Sequence, residues 1–165
     1  ETFPKQAMNF VLTPHPKELS RLMACSVAEI QADRIASARR AAQRFMCTIV
    51  LKGSRTVTAD VAGAAFINPT GNSGMATAGS GDVLSGIIGS LMAQAVSAHE
   101  AAVAGVYIHG TAGDIAAQNI FGHAGITAGE ISFAVPAAVS NIKQGMRSVL
   151  EDQLSGNTGD APWQF

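Results

Sequence analysis

Two cysteines, one tryptophan, one tyrosine and no run of like charge set the first limits on this 165-residue chain. Cys25 and Cys47 are too few for a disulfide framework and lack the paired spacing of a structural zinc site, so two reduced, buried thiols are expected. The formal net charge is −1, with no Lys/Arg stripe of the kind that tracks a nucleic-acid backbone. Arg39, Arg40 and Arg44 share an expected helix with Glu29 and Asp33 and read as a solvated face. The most apolar stretch, Val83 to Val96, is shorter than the ~20 residues of a membrane span, and polar residues interrupt it. Glu1 to Phe10 does not read as a secretory signal. The expectation is a cytoplasmic protein with no nucleic-acid or membrane partner. His99 and His109 fall on different helix faces and make no metal pair. His109 reads as a packed helix residue, His123 as loop, and no metal site is expected. No Ser–His–Asp or Cys–His catalytic set can be argued.

What is present points to a folded core: hydrophobic residues make up 47% and charged residues 14%, which excludes disorder and suits one domain. "NFVLTPHPKELSRLMA" reads as strand, turn and helix. Pro14 and Pro16 block a continuous helix through the turn, while Pro16 suits a first helical position with Glu18 in the positive first turn. Ser26 and Glu29 have capping-box spacing for a second helix running to about Phe45. Cys47 to Gly53 is a β-branched run ended by glycine, and two shorter strands follow in "RTVTAD" and "AAFINPTGN". Beyond Asp82 the apolar residues Val83, Leu84, Ile87, Ile88, Leu91 and Met92 form one wide helical stripe. Ser97 with Glu100 and Thr127 with Glu130 are two further capping boxes. Pro136 is expected to kink or restart the last helix, and residues 155–165 read as a flexible tail. Alternating strands and helices, then helices alone, imply an α/β layered domain with a mostly parallel sheet. Sites in such sheets lie at the carboxyl ends of strands. Lys52-Gly53 and the loop from Asn68 to Asp82 both begin at strand ends, so they are expected to meet.

The stretch "NSGMATAGSGDVLSGIIGSLMAQ" is either a turn with a helix cap or an active site, and as a bare pattern it does not decide between them. Gly74, Gly79 and Gly81 precede Asp82, the only ionisable group in the stretch. A glycine-rich loop feeding a helix start offers free N–H groups and the positive end of the helix dipole, which together bind an oxyanion. The spacing is neither a Walker loop nor a dinucleotide fingerprint. An Asp at a helix start is commonly a cap. The sharper reading is a base acting on a hydroxyl while the amides hold the phosphoryl group that hydroxyl receives.

The segment "GMATAGSGDVLSGIIGSLMAQ" resembles the signature of the NAD(P)H-hydrate dehydratase family, of the YjeF C-terminal type within the ribokinase-like superfamily. "LTPHPKEL", "IVLKGSRTVTAD" and "GVYIHGTAGDIAA" are similar to three more of its landmarks, in the family order. The resemblance implies nucleotide-driven dehydration of hydrated NADH or NADPH, with ADP or ATP and Mg²⁺. It implies phosphorylation of the ring hydroxyl and then elimination. It assigns Asp82 as the catalytic base, also touching the hydrate, and Gly79, Ser80 and Gly81 as the anion hole. It assigns Lys52, Gly53, Ser54, Arg55, Thr56, Asn72 and Gly81 to the nucleotide, with Asn72 placing phosphate or Mg²⁺, and His15 to the substrate. Read from its residues alone, His15 is a helix cap and Asp114 a solvated or helix-bonding residue. Ala78 and Lys17 stand where the family usually has glycine. The match covers only the later part of the family domain. The chain is therefore expected to be incomplete by itself, to need the N-terminal half or a second chain, and to form a homo-oligomer. A ribokinase-like small-molecule kinase and a non-catalytic nucleotide-binding fragment are the alternatives.

Overall fold

The computed structural model describes residues 9–119 and 122–154, with side chains as far as 146. The tail expected at 155–165 lies outside the described residues. The elements run β1 (Val11–Leu12), α1 (Pro16–Met23), α2 (Val27–Ala32), α3 (Arg34–Phe45), β2 (Thr48–Leu51), β3 (Val57–Ala59) and β4 (Ala65–Ile67). A 3₁₀ turn (Ser73–Met75), α4 (Ser80–Ala93), α5 (Ala98–Asn119) and α6 (Ala128–Leu154) follow.

The described sheet has the order β1-β2-β3-β4. β1 pairs with β2 in parallel, across a connection that holds three helices. β2–β3 and β3–β4 are antiparallel. The expectation of a mostly parallel sheet is thus corrected for these strands. The turns at 52–56 and 60–64 are hairpin-sized, and a parallel partner would need a crossover of a dozen or more residues. Asp60 closes the second hairpin, its carboxylate accepting from Ala64 N at 2.8 Å.

Both faces of β2 are covered, because the strand alternates its side chains between two layers. Ile49 and Leu51 pack with Leu19, Ile30 and Phe45 of α1–α3. Val50 points the other way, to Leu84, Ile88 and Val106 of α4 and α5. A third cluster joins α5 to α6 through Ile131 and the alanines Ala112, Ala116, Ala134 and Ala138, whose small side chains let the helices approach closely.

Two of the three expected capping boxes close in full, at Ser26/Glu29 and Thr127/Glu130, while at Ser97/Glu100 the Ser97 hydroxyl accepts from Glu100 N and donates to its carboxylate. The helix expected from Ser26 to Phe45 is two. Asp33 takes an extended conformation and its carboxylate caps α3 through Ala36 N. An Asp cap competes with the helix it interrupts. α6 runs through Pro136 without a break in the assigned helix.

Both cysteines are free; Cys47 is buried and Cys25 half-buried. Burial pushes the Cys47 thiol up to about 11, and only the thiolate is nucleophilic. Iodoacetamide at mildly alkaline pH is expected to label Cys25 and spare Cys47 in the folded protein, and to label both in concentrated guanidinium. Peptide mass spectrometry checks this; equal labelling of both native thiols would show that the β2 layer opens.

Candidate active site

The site grows from the carboxyl ends of β1 and β2. Pro14 O accepts from Lys52 N at 2.9 Å, which ties the two strand ends together. After β1 the chain turns at His15, whose Nδ1 accepts from Glu18 N at 3.1 Å, while Glu18 Oε2 accepts from His15 N at 2.7 Å. His15 is therefore the N-cap of α1, as its residues alone suggested. The cap bond leaves Nδ1 as acceptor, so the neutral ring carries its proton on Nε2. That nitrogen lies 3.3 Å from Glu18 Oε1.

After β2 the chain makes a turn with Gly53 at φ 140° and Arg55 at φ 52°. Arg34, the first residue of α3, holds this turn from below. Its guanidinium donates to the carbonyls of Leu51 (3.1 Å), Lys52 (3.2 Å) and Ser54. A Cβ on Gly53 would stand 3.0 Å from Arg34 Nη2, so the position needs glycine for both conformation and space. Thr56 Oγ1 donates to Gly53 O at 3.0 Å. Ser54 and Arg55 are exposed.

The glycine-rich loop is held from the far side by α5. Asp114 accepts from Gly71 N at 2.8 Å and from Asn72 Nδ2 at 2.9 Å. The same Nδ2 donates to Gly113 O, and Asn72 Oδ1 accepts from Gly74 N at 3.0 Å. Asp114 is thus a loop anchor, which corrects its reading as a solvated or helix-bonding residue. The amide of Asn72 is engaged at both its oxygen and its nitrogen, and it shapes the loop. Gly74 is glycine because a side chain there would overlap the His123 carbonyl.

Gly79 is the N-cap of α4, left-handed at φ 83° and with no side-chain cap. Asp82 sits in the first helical turn, its N–H bonded to Gly79 O at 3.0 Å. Its carboxylate is exposed and makes no hydrogen bond or ion pair among the described residues, so it is not the cap. Ser80 turns inward, its Oγ 3.3 Å from His109 Nε2. Burial holds His109 below its ordinary value, against a smaller opposing effect of the Ser80 backbone, so this imidazole is neutral at pH 7.

Lys52 and the glycine loop do meet. A Cβ on Gly81 would lie 3.1 Å from Lys52 Nζ, which places the ammonium against the start of α4. Thr13 and Ser85 add a hydroxyl contact at 3.4 Å between β1's end and α4, and Ser85 Oγ donates to Gly81 O at 2.9 Å. Glu18 lies between His15 and Lys52, 3.7 Å from Lys52 Nζ, and Lys52 in turn reaches Gly81. An open groove of about 390 Å³ adjoins them, lined by Leu12, Thr13, Pro14, Glu18, Arg21 and Leu22. A second, about 480 Å³, lies between Asp114 and His123. Asp82 lines neither.

Sequence reasoning missed Arg34, the anchoring role of Asp114 and the bridging role of Glu18. Glu18 had a local signal, its spacing from His15. Arg34 and Asp114 act on backbone far away in the chain, where no local pattern reaches.

Comparison with known proteins gives a concordant result. A family model described as NAD(P)H-hydrate dehydratase matches residues 1–136. An ADP-dependent (S)-NAD(P)H-hydrate dehydratase of Neisseria meningitidis is 50% identical over 130 residues, 79% of this chain and 43% of that protein. The ADP/ATP-dependent NAD(P)H-hydrate dehydratase of Bacillus subtilis, crystallised with ATP and Mg²⁺, superposes with a TM-score of 0.79 at 33% identity, covering 86% of this chain and 50% of that one. A ribokinase-like superfamily protein of Enterococcus faecalis gives 0.66 at 34% identity, covering 79% and 44%. The fold is therefore the α/β, ribokinase-like one expected, with the chain spanning about half or less of these relatives.

Proposed function

The chain belongs to the NAD(P)H-hydrate dehydratase family, and on that premise we propose that the protein carrying it returns hydrated NADH or NADPH to the normal dinucleotide, driven by ADP or ATP. The observation that carries this reading is the approach of Lys52 Nζ to Gly81 at the start of α4. A cation and the positive end of a helix sharing one point suit a phosphoryl group in transit. In this reading Gly79, Ser80 and Gly81 border the anion hole. The turn from Lys52 to Thr56 takes the nucleotide, and Asn72 acts by shaping the loop. His15 touches the hydrate and Asp82 faces its ring hydroxyl.

Asp82 accepts the hydroxyl proton as that oxygen attacks the terminal phosphorus. The P–O bond to the nucleotide breaks, releasing AMP from ADP or ADP from ATP. The lone pair of the ring nitrogen then expels phosphate, which leaves with both electrons of the C–O bond. Loss of a proton from the neighbouring carbon restores the ring double bond. Water leaves as part of inorganic phosphate, and no redox change occurs.

Among the described residues no group of three or more His, Cys, Asp or Glu side chains could hold a metal ion. These residues do not fit a dedicated Mg²⁺ cage. Mg²⁺ suits delivery on the nucleotide phosphates with its own waters.

The proposed partner of the site is further polypeptide, from the same gene product or a second copy. Coverage of about half the Bacillus enzyme supports this. No described helix is long and apolar enough to cross a membrane. Supplying the full-length protein with hydrated NADH, Mg²⁺ and ADP or ATP is expected to restore the near-ultraviolet absorbance of NADH. No recovery with either nucleotide overturns the reading. A stable phosphorylated alcohol without dehydration would instead assign a ribokinase-like kinase.

A further inference from the structure

Glu18 does more than cap a helix. Its Oε2 accepts the His15 N–H at 2.7 Å and lies 3.7 Å from Lys52 Nζ, while Oε1 faces His15 Nε2. We propose that Glu18 is a positioning residue, holding the Lys52 ammonium as its counter-ion over the start of α4 and yielding it to the phosphate that arrives there. The inference rests on the reading of Lys52 as a nucleotide contact.

Three features support an exchangeable pair. The separation of 3.7 Å is long, and the side chains of Lys52 and Glu18 are 26% and 46% exposed, so the pair is wet and easily parted. The carboxylate is tethered against following the ammonium, because Oε2 accepts the His15 N–H in the capping box of α1. The backbone of Lys52 is fixed too, by the Pro14 carbonyl, so only the flexible lysine stem moves. Burial pushes the Glu18 carboxyl up, but the His15 N–H bond and the Lys52 charge outweigh it and hold it below the ordinary value. Glu18 is therefore ionised at neutral pH. It pairs with Lys52 in competition with an incoming anion.

The test is calorimetric titration of ADP into the full-length protein. Glu18→Gln removes the charge and keeps the capping box, since Gln serves at that position. An unchanged melting temperature confirms that the fold is kept. E18Q is expected to bind ADP about fivefold more tightly, the scale of an exposed ion pair. Lys52→Met is expected to weaken binding, and E18Q added to K52M to change it less than about twofold. Unchanged or weaker binding in E18Q overturns the proposal, as does an equal shift in both backgrounds. If K52M alone leaves ADP affinity unaltered, the reading of Lys52 fails instead, and the role of Glu18 fails with it.

Discussion

Replacing Asp82 by Asn is expected to lower kcat for hydrate dehydration by about 10³-fold, within the usual range for loss of a positioned base, and to leave ADP affinity within about threefold. The first effect follows from the proposed role: an amide cannot take the hydroxyl proton. The second follows from where Asp82 stands. Its carboxylate is exposed and makes no hydrogen bond or ion pair among the described residues, so its loss leaves no partner unsatisfied. The N–H bond to Gly79 O belongs to the backbone and survives the change. Asn at this position forfeits a favourable charge at the helix start, worth about 0.3–1 kcal/mol, which the melting temperature reads separately. Single-turnover kinetics with calorimetric ADP titration separate the outcomes. A variant that binds ADP and still turns over at the wild-type rate would remove Asp82 from the chemistry.

The juxtaposition behind that prediction was legible in the sequence for a physical reason. Sites in layered α/β sheets collect at strand carboxyl ends, and both "LKG" and the glycine loop begin at such ends. The caps at Ser26, Ser97 and Thr127 were legible because a capping box is closed within four residues. What escaped depends on distant partners or on local competition. Asp33 breaks a run that holds neither proline nor glycine, because its own carboxylate offers α3 a cap. Asp114 reaches back to Gly71 and Asn72 from α5. Arg34 braces a turn built after the next strand. The antiparallel hairpins were within reach of the sequence, since the turns at 52–56 and 60–64 are too short for a crossover.

Gly110→Ala is expected to destabilise the fold by about 2 kcal/mol, as overpacking of a tight contact does, and to lower Tm by roughly 4–8 °C. Helix propensity alone argues the opposite, since alanine in a helix interior gains up to about 1 kcal/mol over glycine. The packing decides. A Cβ on Gly110 would overlap Thr70 Oγ1 and come within 2.9 Å of the Thr70 carbonyl carbon, which is backbone. Thr70 cannot step aside. Its hydroxyl is bonded to Asn68 Oδ1 and to Tyr107 O, and its carbonyl accepts from Asn68 Nδ2 at 3.0 Å. Asn68 N is in turn held by Thr56 O at 2.9 Å. The strain therefore passes to Gly71 and Asn72, the residues Asp114 anchors. Gly86 and Gly89 on α4 supply the contrast, since a Cβ there meets nothing within 4 Å. Gly86→Ala and Gly89→Ala are each expected to raise stability by about 0.5–1 kcal/mol. Gly113→Ala belongs between them, because the atoms it would meet are the side chain of Met75, which can repack. Thermal unfolding of the four variants orders them. If Gly110→Ala melts at or above the wild type, the contact of α5 with Thr70 has room for a methyl group, and the glycine-rich loop ahead of α4 is not braced from behind.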